Sequence, residues 1–594
     1  MASNTPVPNN ELQQVTKKPV TSNRHQQAGI RIVLMGAILI CANVLASYFH
    51  TGLDLTHEKR FTLTTSTKAL LRSMPEVAVV DVYLKGTFPA GLQRMQEAVR
   101  ERLRSFKDVA GAKIVFRFSD PLEGKTDKEK KAIIHDLSNK GIRALELKTE
   151  NDDEYSMKLF FPFALVRYNG REMPIFLLDA PPGRSSVEQI SYSETMLEYK
   201  FASAINQLGK PAKASIAYLT GHGEPLGLKT VDMLSTLPSV YNLDTLDLAN
   251  SYHISLAYDA VIINQPSLPF TEPDKLKIDQ FVMHGGHVLW VVNQLTASLD
   301  SLAIHPPQQM AVEQGLQLDD ILLQYGIRVN NDLLEDMQCL PLPRTMNDGK
   351  PELHAWVYFP RLNPSADHPV VRNMDIVMGG FTNTIDTMLS PQIKKTVLLN
   401  SSKYSRNTRS PVRVSLSMMN YALKNEMFNK PYLPVAVLLE GKFTSMFRGR
   451  LAPSFLRILA DSLKEPYKPM CDSTTSMIVT SVGEIFSNGY TTKDGIQGIG
   501  YYKFTGDYFA NKGFLLNCLE YLTDHSGVLE ARSKDAKLRL LDNGRVKAEK
   551  TTWQLVNVGV PVVAVLLFAS CYLFFRKRRY ESKPEPVKSP SADA

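Results

Sequence analysis

Cysteine is scarce in this sequence: five among 594 residues, with none between Cys41 and Cys339. Cys41 and Cys571 fall in long apolar runs, and Cys339, Cys471 and Cys518 stand alone. No CxxC pair and no Cys/His cluster at zinc spacing occurs, which excludes a disulfide framework and a structural zinc site. The formal net charge is +8, but the ends carry most of it. Lys17, Lys18 and Arg24 face only Glu11 at the start, and Arg576, Lys577, Arg578, Arg579, Lys583 and Lys588 face Glu581, Glu585 and Asp593 at the end. The near-neutral middle lacks the basic stripe of a nucleic-acid binder. A phosphate-binding loop is absent too. The nearest approach, "SDPLEGKT" (Ser119 to Thr126), has serine for the first glycine, loses a donor at Pro121 and places Glu123 against phosphate. It reads as a polar turn opening a helix. No ATPase and no cofactor site is legible.

Two charge-free runs decide the class. Ile32 to Phe49 is one, and Thr551 to Phe575 is the other. Each is about long enough to cross ~30 Å of hydrocarbon. The first reads as an anchor rather than a signal peptide cleaved after Ala46, because the segment before it is long and no small-x-small site follows. The Arg576 to Arg579 cluster places the C-terminus in the cytoplasm, and Arg24 with Arg31 places the N-terminus there. The body, about His50 to Lys550, then lies outside, in the periplasm of a bacterium.

That body is too long for one core. Its first part reads as α/β. "VAVVDVYL" (Val77 to Leu84) alternates as a strand, and Leu92, Met95, Val99, Leu103 and Phe106 form a helical stripe ended by Gly111. Ala112 to Phe118 is a second strand, Asp127 to Asn139 a charged helix, and Ser156 to Leu178 a hairpin turning at Asn169-Gly170. This order resembles a thioredoxin-like fold, yet no cysteine follows the Val77 strand, so redox chemistry is excluded. A helix from Val187 to Leu208 stops at Gly209. Strands and helices then alternate from Ala214 to Gln294, which predicts a mostly parallel sheet. "FVMHGGHVLW" resembles class I glutamine-amidotransferase-like domains, whose cysteine elbow this chain lacks.

The strand "ASIAYLT" breaks into Gly221, His222, Gly223 and Glu224, at the strand end where α/β proteins place their chemistry. Imidazole and carboxylate in one loop could bind metal or move protons. No third ligand or activated nucleophile stands nearby in the sequence. A ligand or partner contact and a purely structural turn, with Glu224 capping the next helix, both fit. His284 and His287 read as a helix stop and a strand start. The prolines near Pro341 and Pro360 read as punctuation of an irregular excursion. In the segment Ala531 to Trp553, basic residues surround Leu538, Leu540 and Leu541, and Asp542, Asn543 and Gly544 signal a turn. It reads either as a solvated stalk beside lipid headgroups or as a permease contact through those leucines and Trp553.

"PVAVLLEGKFTSMFRGR" (Pro434 to Arg450), Ala510 to Asp542, the closing "FFRKRRY", "LTGHGEP" and "YGIRVNNDLLED" together resemble the gliding-motility-associated ABC-transporter auxiliary (GldG) family of Bacteroidetes. The resemblance covers nearly the whole chain. It implies a GldA-like ATPase and a GldF-like permease as partners, an inner-membrane location, and a substrate-binding label with no ligand specified. The expected organisation is a cytoplasmic tail (1–28), a span (29–50), a thioredoxin-like domain (51–185), a glutamine-amidotransferase-like auxiliary domain (186–530, irregular about 330–430), a stalk (531–553), a second span (554–575) and a basic tail (576–594). The expected role is a non-enzymatic periplasmic subunit. The alternatives are a solute receptor, which needs a convergent cleft, and a hydrolase, which needs a nucleophile near Gly221 to Glu224.

Overall fold

The computed structural model describes residues 23–48, 62–151, 154–179, 185–304, 308–345, 351–420, 424–454, 456–457, 461, 466–491, 495–524, 526–533 and 543–580. The chain forms two compact units, Met1–Thr62 and Leu63–Ala594. In the first, the described residues form helix α1 (Asn23–Tyr48). The sequence leads to two spans; among the described residues one helix is long and apolar enough to cross a membrane, Glu549–Arg579. The apolar stretch of α1, Gly29–Cys41, is shorter. At 1.5 Å per residue it covers about 20 Å of the ~30 Å of hydrocarbon.

The second unit opens with α2 (Thr65–Ser73), β1 (Ala78–Val82), α3 (Ala90–Ala110), β2 (Ile114–Phe118), α4 (Asp127–Asn139), β3 (Leu145–Asn151), β4 (Glu154–Phe160), β5 (Phe163–Tyr168), β6 (Arg171–Phe176) and α5 (Ser186–Gly209). The sheet order is β2-β1-β5-β6, with β1 and β2 parallel and the other pairs antiparallel. Met95, Val99, Leu103 and Phe106 of α3 are fully buried, as their spacing predicts. Thr126 caps α4 in a capping box with Glu129, so the "GKT" stretch serves a helix start. Asn169 and Gly170 turn the β5–β6 hairpin with φ of 54° and 69°. The longer hairpin expected from Ser156 divides instead: β4 pairs with β3, because Pro162 interrupts the chain before β5. The boundary expected at residue 186 also moves. Leu197, Phe201, Ile205 and Leu208 of α5 lie in the same core as β1 and α3, because their spacing makes one stripe.

A ten-stranded sheet organises the rest. Its strands are β7 (Ser215–Thr220), β8 (Asn242–Asp247), β9 (Ala260–Asn264), β10 (His287–Val291), β11 (Cys339–Thr345), β12 (Pro351–Pro364), β13 (Ile393–Asn400), β14 (Pro434–Gly441) and β15 (Thr475–Thr480), with Val377–Met378 on β12. The order is β11-β12-β13-β14-β15-β10-β9-β7-β8. The block β8-β7-β9-β10-β15 is parallel, and β11 to β14 extend it antiparallel. Both faces are covered. Ile216, Ile262 and Leu438 meet α6 (Val231–Thr236) and α9 (Asn511–Thr523) on one side. Val261, Trp290 and Leu439 meet α7 (Glu272–Met283) and α8 (Asp319–Gln324) on the other. Hence β9, "AVIIN", is buried at every position and reads as a continuous apolar run.

The segment expected to be irregular is β-rich. Pro341 and Pro343 sit in β11, the edge of the sheet, where a missing N–H costs no ladder bond, and the register shifts between Cys339 and Pro341. The turn expected at Asn543 is absent. Helix α10 (Asn543–Tyr580) already begins there, because Arg545, Lys547, Ala548, Glu549 and Lys550 are good helix formers. Leu538, Leu540 and Leu541 lie outside the described residues.

Leu438 has neighbours on both flanking strands and no exposure. Leu438→Ala is expected to cost ~2–5 kcal/mol in urea unfolding of the detergent-solubilised chain. Leu389→Ala, at a fully exposed side chain, is expected to stay within ~0.5 kcal/mol.

Candidate functional site

In the parallel block the chain-order numbering of neighbours is 2-1-3-4-5, so the order reverses between β7 and β9. Connections leave those two strands toward opposite faces, through α6 and α7. Doubly wound proteins bind ligands at that point, outside the carboxyl ends of the strands. The Gly221 to Glu224 loop follows β7 and meets the loop after β9 there.

The loop closes on itself. The His222 N–H donates to Glu224 Oε2 at 2.8 Å, and the His222 carbonyl accepts from Ser267 and Leu268 at 2.8 and 2.9 Å. Gly221 and Gly223 have φ of 112° and 77°. A Cβ at Gly221 would stand 2.8 Å from Asp247 Oδ1, and one at Gly223 would collide with Ser267 Oγ. Glycine is therefore required twice, by conformation and by space. Both histidine and carboxylate turn inward: His222 is 3% exposed and Glu224 7%. The imidazole lies flat on Phe270, with centroids 3.8 Å apart and 5° between planes. Its Nε2 meets Asp274 Oδ2 at 3.2 Å. Asp274 is held in turn by Thr271, the N-cap of α7, at 2.5 Å and by Lys277 Nζ at 2.9 Å. Lys277 also donates to the Leu248 carbonyl at 2.8 Å, which ties in the end of β8.

Three loops are thus pinned through one imidazole. Burial raises the Glu224 carboxyl above the usual carboxylate range, against the hydrogen bonds it accepts. Burial also acts on Asp274, but Lys277, Thr271 and His222 outweigh it and hold that carboxyl below its ordinary value. Tyr218 at the end of β7 is pushed up to about 12 by burial. Its hydroxyl donates to the Pro225 carbonyl at 2.7 Å and accepts from Asn264 at 3.2 Å.

Glu224 does not cap the next helix, as the sequence allows. Helix α6 starts only at Val231, and its N-cap Thr230 makes no side-chain cap bond. Asp274 and Phe270 were not legible as partners of His222, although the T-x-x-D spacing of Thr271 and Asp274 marks a helix start. Among the described residues no group of His, Cys, Asp or Glu side chains could hold a metal ion. Immediately after β9, where a nucleophile elbow would stand, the chain has Gln265 with φ of 51°. Its N–H donates to Val291 and its side-chain amide to Ser487 Oγ at 3.1 Å. An amide supplies no nucleophile.

A crevice of about 390 Å³, joined to this strand end through the Gln265–Ser487 bond, is lined by Lys229, Asp300, Glu484, Asn488, Tyr490 and Tyr501 among others. Lys229 bridges Asp300 at 3.0 Å and Glu484 at 3.3 Å. A second cavity, about 310 Å³, opens between the first sheet's α5 end and α9. Its charges are spent internally: Lys210 pairs with Asp524 at 3.0 Å, Lys213 donates to the Pro238 carbonyl at 2.7 Å, and Arg171 caps α5 through Leu208 at 2.6 Å. No spacing in the sequence marks the crevice, whose walls come from loops about 70 to 270 residues apart. Trp553, on α10, is 58% exposed and donates to Glu549 Oε2 at 3.0 Å.

Residues 213–518, the whole of the large sheet, match the model of the ABC-type uncharacterized transport system auxiliary family. The chain belongs to that family. Residues 57–167 match a domain of unknown function, DUF7088. An uncharacterized protein of Borreliella burgdorferi is 21% identical over 556 residues, covering 91% of this chain and 96% of the relative. The solved mmIFT52 N-terminal domain aligns at 13% identity with a TM-score of 0.29, covering 52% of this chain and 97% of that one, a likeness too remote to bear on the fold.

For the knot, His222→Ala is expected to leave the family member folded and in the membrane while costing ~2–4 kcal/mol, from the lost stacking on Phe270 and the loss of one of the three partners of Asp274. The two carboxylates respond oppositely to pH. Asp274, with a lowered pKa, stabilises above the ordinary aspartate value of ~3.9 and loses that contribution as pH falls through its folded value. Asp274→Asn should therefore be less stable at pH 7 and show a flatter acid limb. Glu224, with a raised pKa, favours the fold most below the ordinary glutamate value and less as pH rises through its folded value. Glu224→Gln should be tolerated at pH 7. Melting curves from pH 3 to 8 check both.

Proposed function

We propose that this protein is a membrane-held, non-enzymatic subunit of an ABC transport complex, working with a separate ATPase and permease of the GldA and GldF kind, in a system of the gliding-motility type. The observation that carries the reading is the family match across the large sheet. The site supports it. The one histidine at the switch point is spent on Asp274 and Phe270, and the elbow position holds Gln265. In this reading the subunit acts through binding and movement.

In this reading the first sheet belongs to a thioredoxin-like domain, which the β2-β1-β5-β6 order with one parallel pair supports. The larger domain is glutamine-amidotransferase-like, for which the parallel block argues. The apolar side chains of α10 from Leu555 to Phe575 are exposed along the helix. From Trp553 to Arg576 is about 35 Å at 1.5 Å per residue, enough to cross a ~30 Å bilayer core. The second anchor is the 29–50 segment, both termini are cytoplasmic, and the body is periplasmic at the inner membrane.

A solute receptor is the second reading, favoured by the crevice over Lys229 and Glu484. A small molecule that raised the melting temperature in proportion to its concentration would select it.

Purification from native membranes tests the first reading. An ABC ATPase and a permease should co-purify in constant ratio, and their absence under mild detergent would refute it. A cytoplasm-dependent reporter should work after Ala594 and fail when inserted near Lys350; the reverse pattern would turn the topology over.

A further inference from the structure

The last described segment before α10 is a short 3-10 turn, Val528–Ser533. It lies where the first domain's helix α5 meets α9 of the second. Consecutive side chains enter different cores: Val528 packs with β1, α3 and α5, and Leu529 packs with the large sheet and α9. Arg532, 8% exposed, donates to Asn517 Oδ1 on α9 and stands 5.0 Å from the Tyr199 ring on α5. Tyr199 and Ser203 of α5 both donate to the buried Glu520 of α9, Ser203 at 3.0 Å. The Arg532 carbonyl accepts from Asn373 at 2.7 Å, and Glu530 accepts from Ser66 of α2 at 2.9 Å. Asn206 of α5 donates to Asp524 and Ser526 at 2.8 and 3.1 Å, just before the turn.

Apart from the turn's own apolar residues Val528, Leu529 and Ala531 and the Tyr199 ring, the bonds across the α5–α9 contact are made by polar groups. Polar contacts desolvated at an interface contribute little net energy, but leaving one partner behind is costly. Withdrawing the central group of such an interface leaves its buried partners uncompensated and weakens it as a whole. That group is Arg532, which touches α5 and α9 together. The same stretch of chain continues toward the membrane helix.

We propose that Val528–Ser533 is a strap that locks the first domain onto the second, with Arg532 as its bolt, and that displacing the strap frees the two domains from one another. The inference does not depend on which transporter the protein serves. It predicts a local opening in which α5 and α9 lose protection together while the parallel sheet stays closed.

Hydrogen exchange on the full chain in detergent micelles reads this directly. Arg532→Met keeps the apolar length of the side chain and removes the donor. Amides of α5 near Tyr199 to Asn206 and of α9 near Asn517 to Glu520 should exchange about tenfold faster or more, while those of β9 and β10 stay at wild-type rates. Arg532→Lys, which keeps the charge, should fall between. Ser66→Ala removes the outlying contact and should accelerate only α2. Unchanged exchange in α5 and α9 would overturn the strap. So would equal acceleration in β9 and β10, which would make Arg532 a part of the global core rather than a bolt between domains.

Discussion

Burial of the parallel strands on both faces is the constraint on which the rest of this structure depends. β9 has no exposed position, so neither face of the sheet can carry polar chemistry. Helices must cover both sides, and polar side chains are driven to the strand ends. At the carboxyl end, where β7 and β9 part, the covering helices leave a gap between three loops. The His222 ring on Phe270 fills it, and Asp274 fixes the ring from α7. The point where doubly wound sheets bind ligands is here occupied by this stacked and hydrogen-bonded ring, and a separate crevice opens over Lys229 and Glu484.

Much of the framework was legible in the residues. The α3 stripe from Met95 to Phe106, the α4 limits at Asp127 and Asn139, and the strands from Ser215 to Val291 follow from period, capping and glycine placement. The glycines of the Gly221 to Glu224 loop announced a tight turn, and a tight turn is present. What held His222 was not legible, because Phe270 and Asp274 lie about 50 residues away and pairings at that distance leave no period. The β-ribbon of β11 and β12 was hidden for a different reason. Proline reads as a breaker, and only the position of β11 at the sheet edge makes Pro341 and Pro343 harmless.

Helix α5 has two natures at once. One side carries Leu197, Phe201, Ile205 and Leu208 into the first core, and the other presents Tyr199, Ser203 and Asn206 to the second domain. A reading of apolar spacing captures the first side and misses the second, whose meaning depends on a helix more than 300 residues later. Apart from Val528 and Leu529, the joint between domains is accordingly written in hydroxyls, amides, carboxylates and the Arg532 guanidinium, which sequence patterns treat as solvent-facing.

The continuity of α10 has a mechanical consequence. Its 38 residues run unbroken through Pro561 to the basic cluster at Arg576, a rod of about 57 Å at 1.5 Å per residue. A rod longer than the ~30 Å hydrocarbon layer it is long and apolar enough to cross is a lever. Pivoted at its middle, it swings its Asn543 end by about 5 Å for each ten degrees of tilt, from the helix length alone. A tilt too small to alter the rod's depth would appear at Asn543 as a sideways displacement of several ångströms, amplified by length and by nothing else.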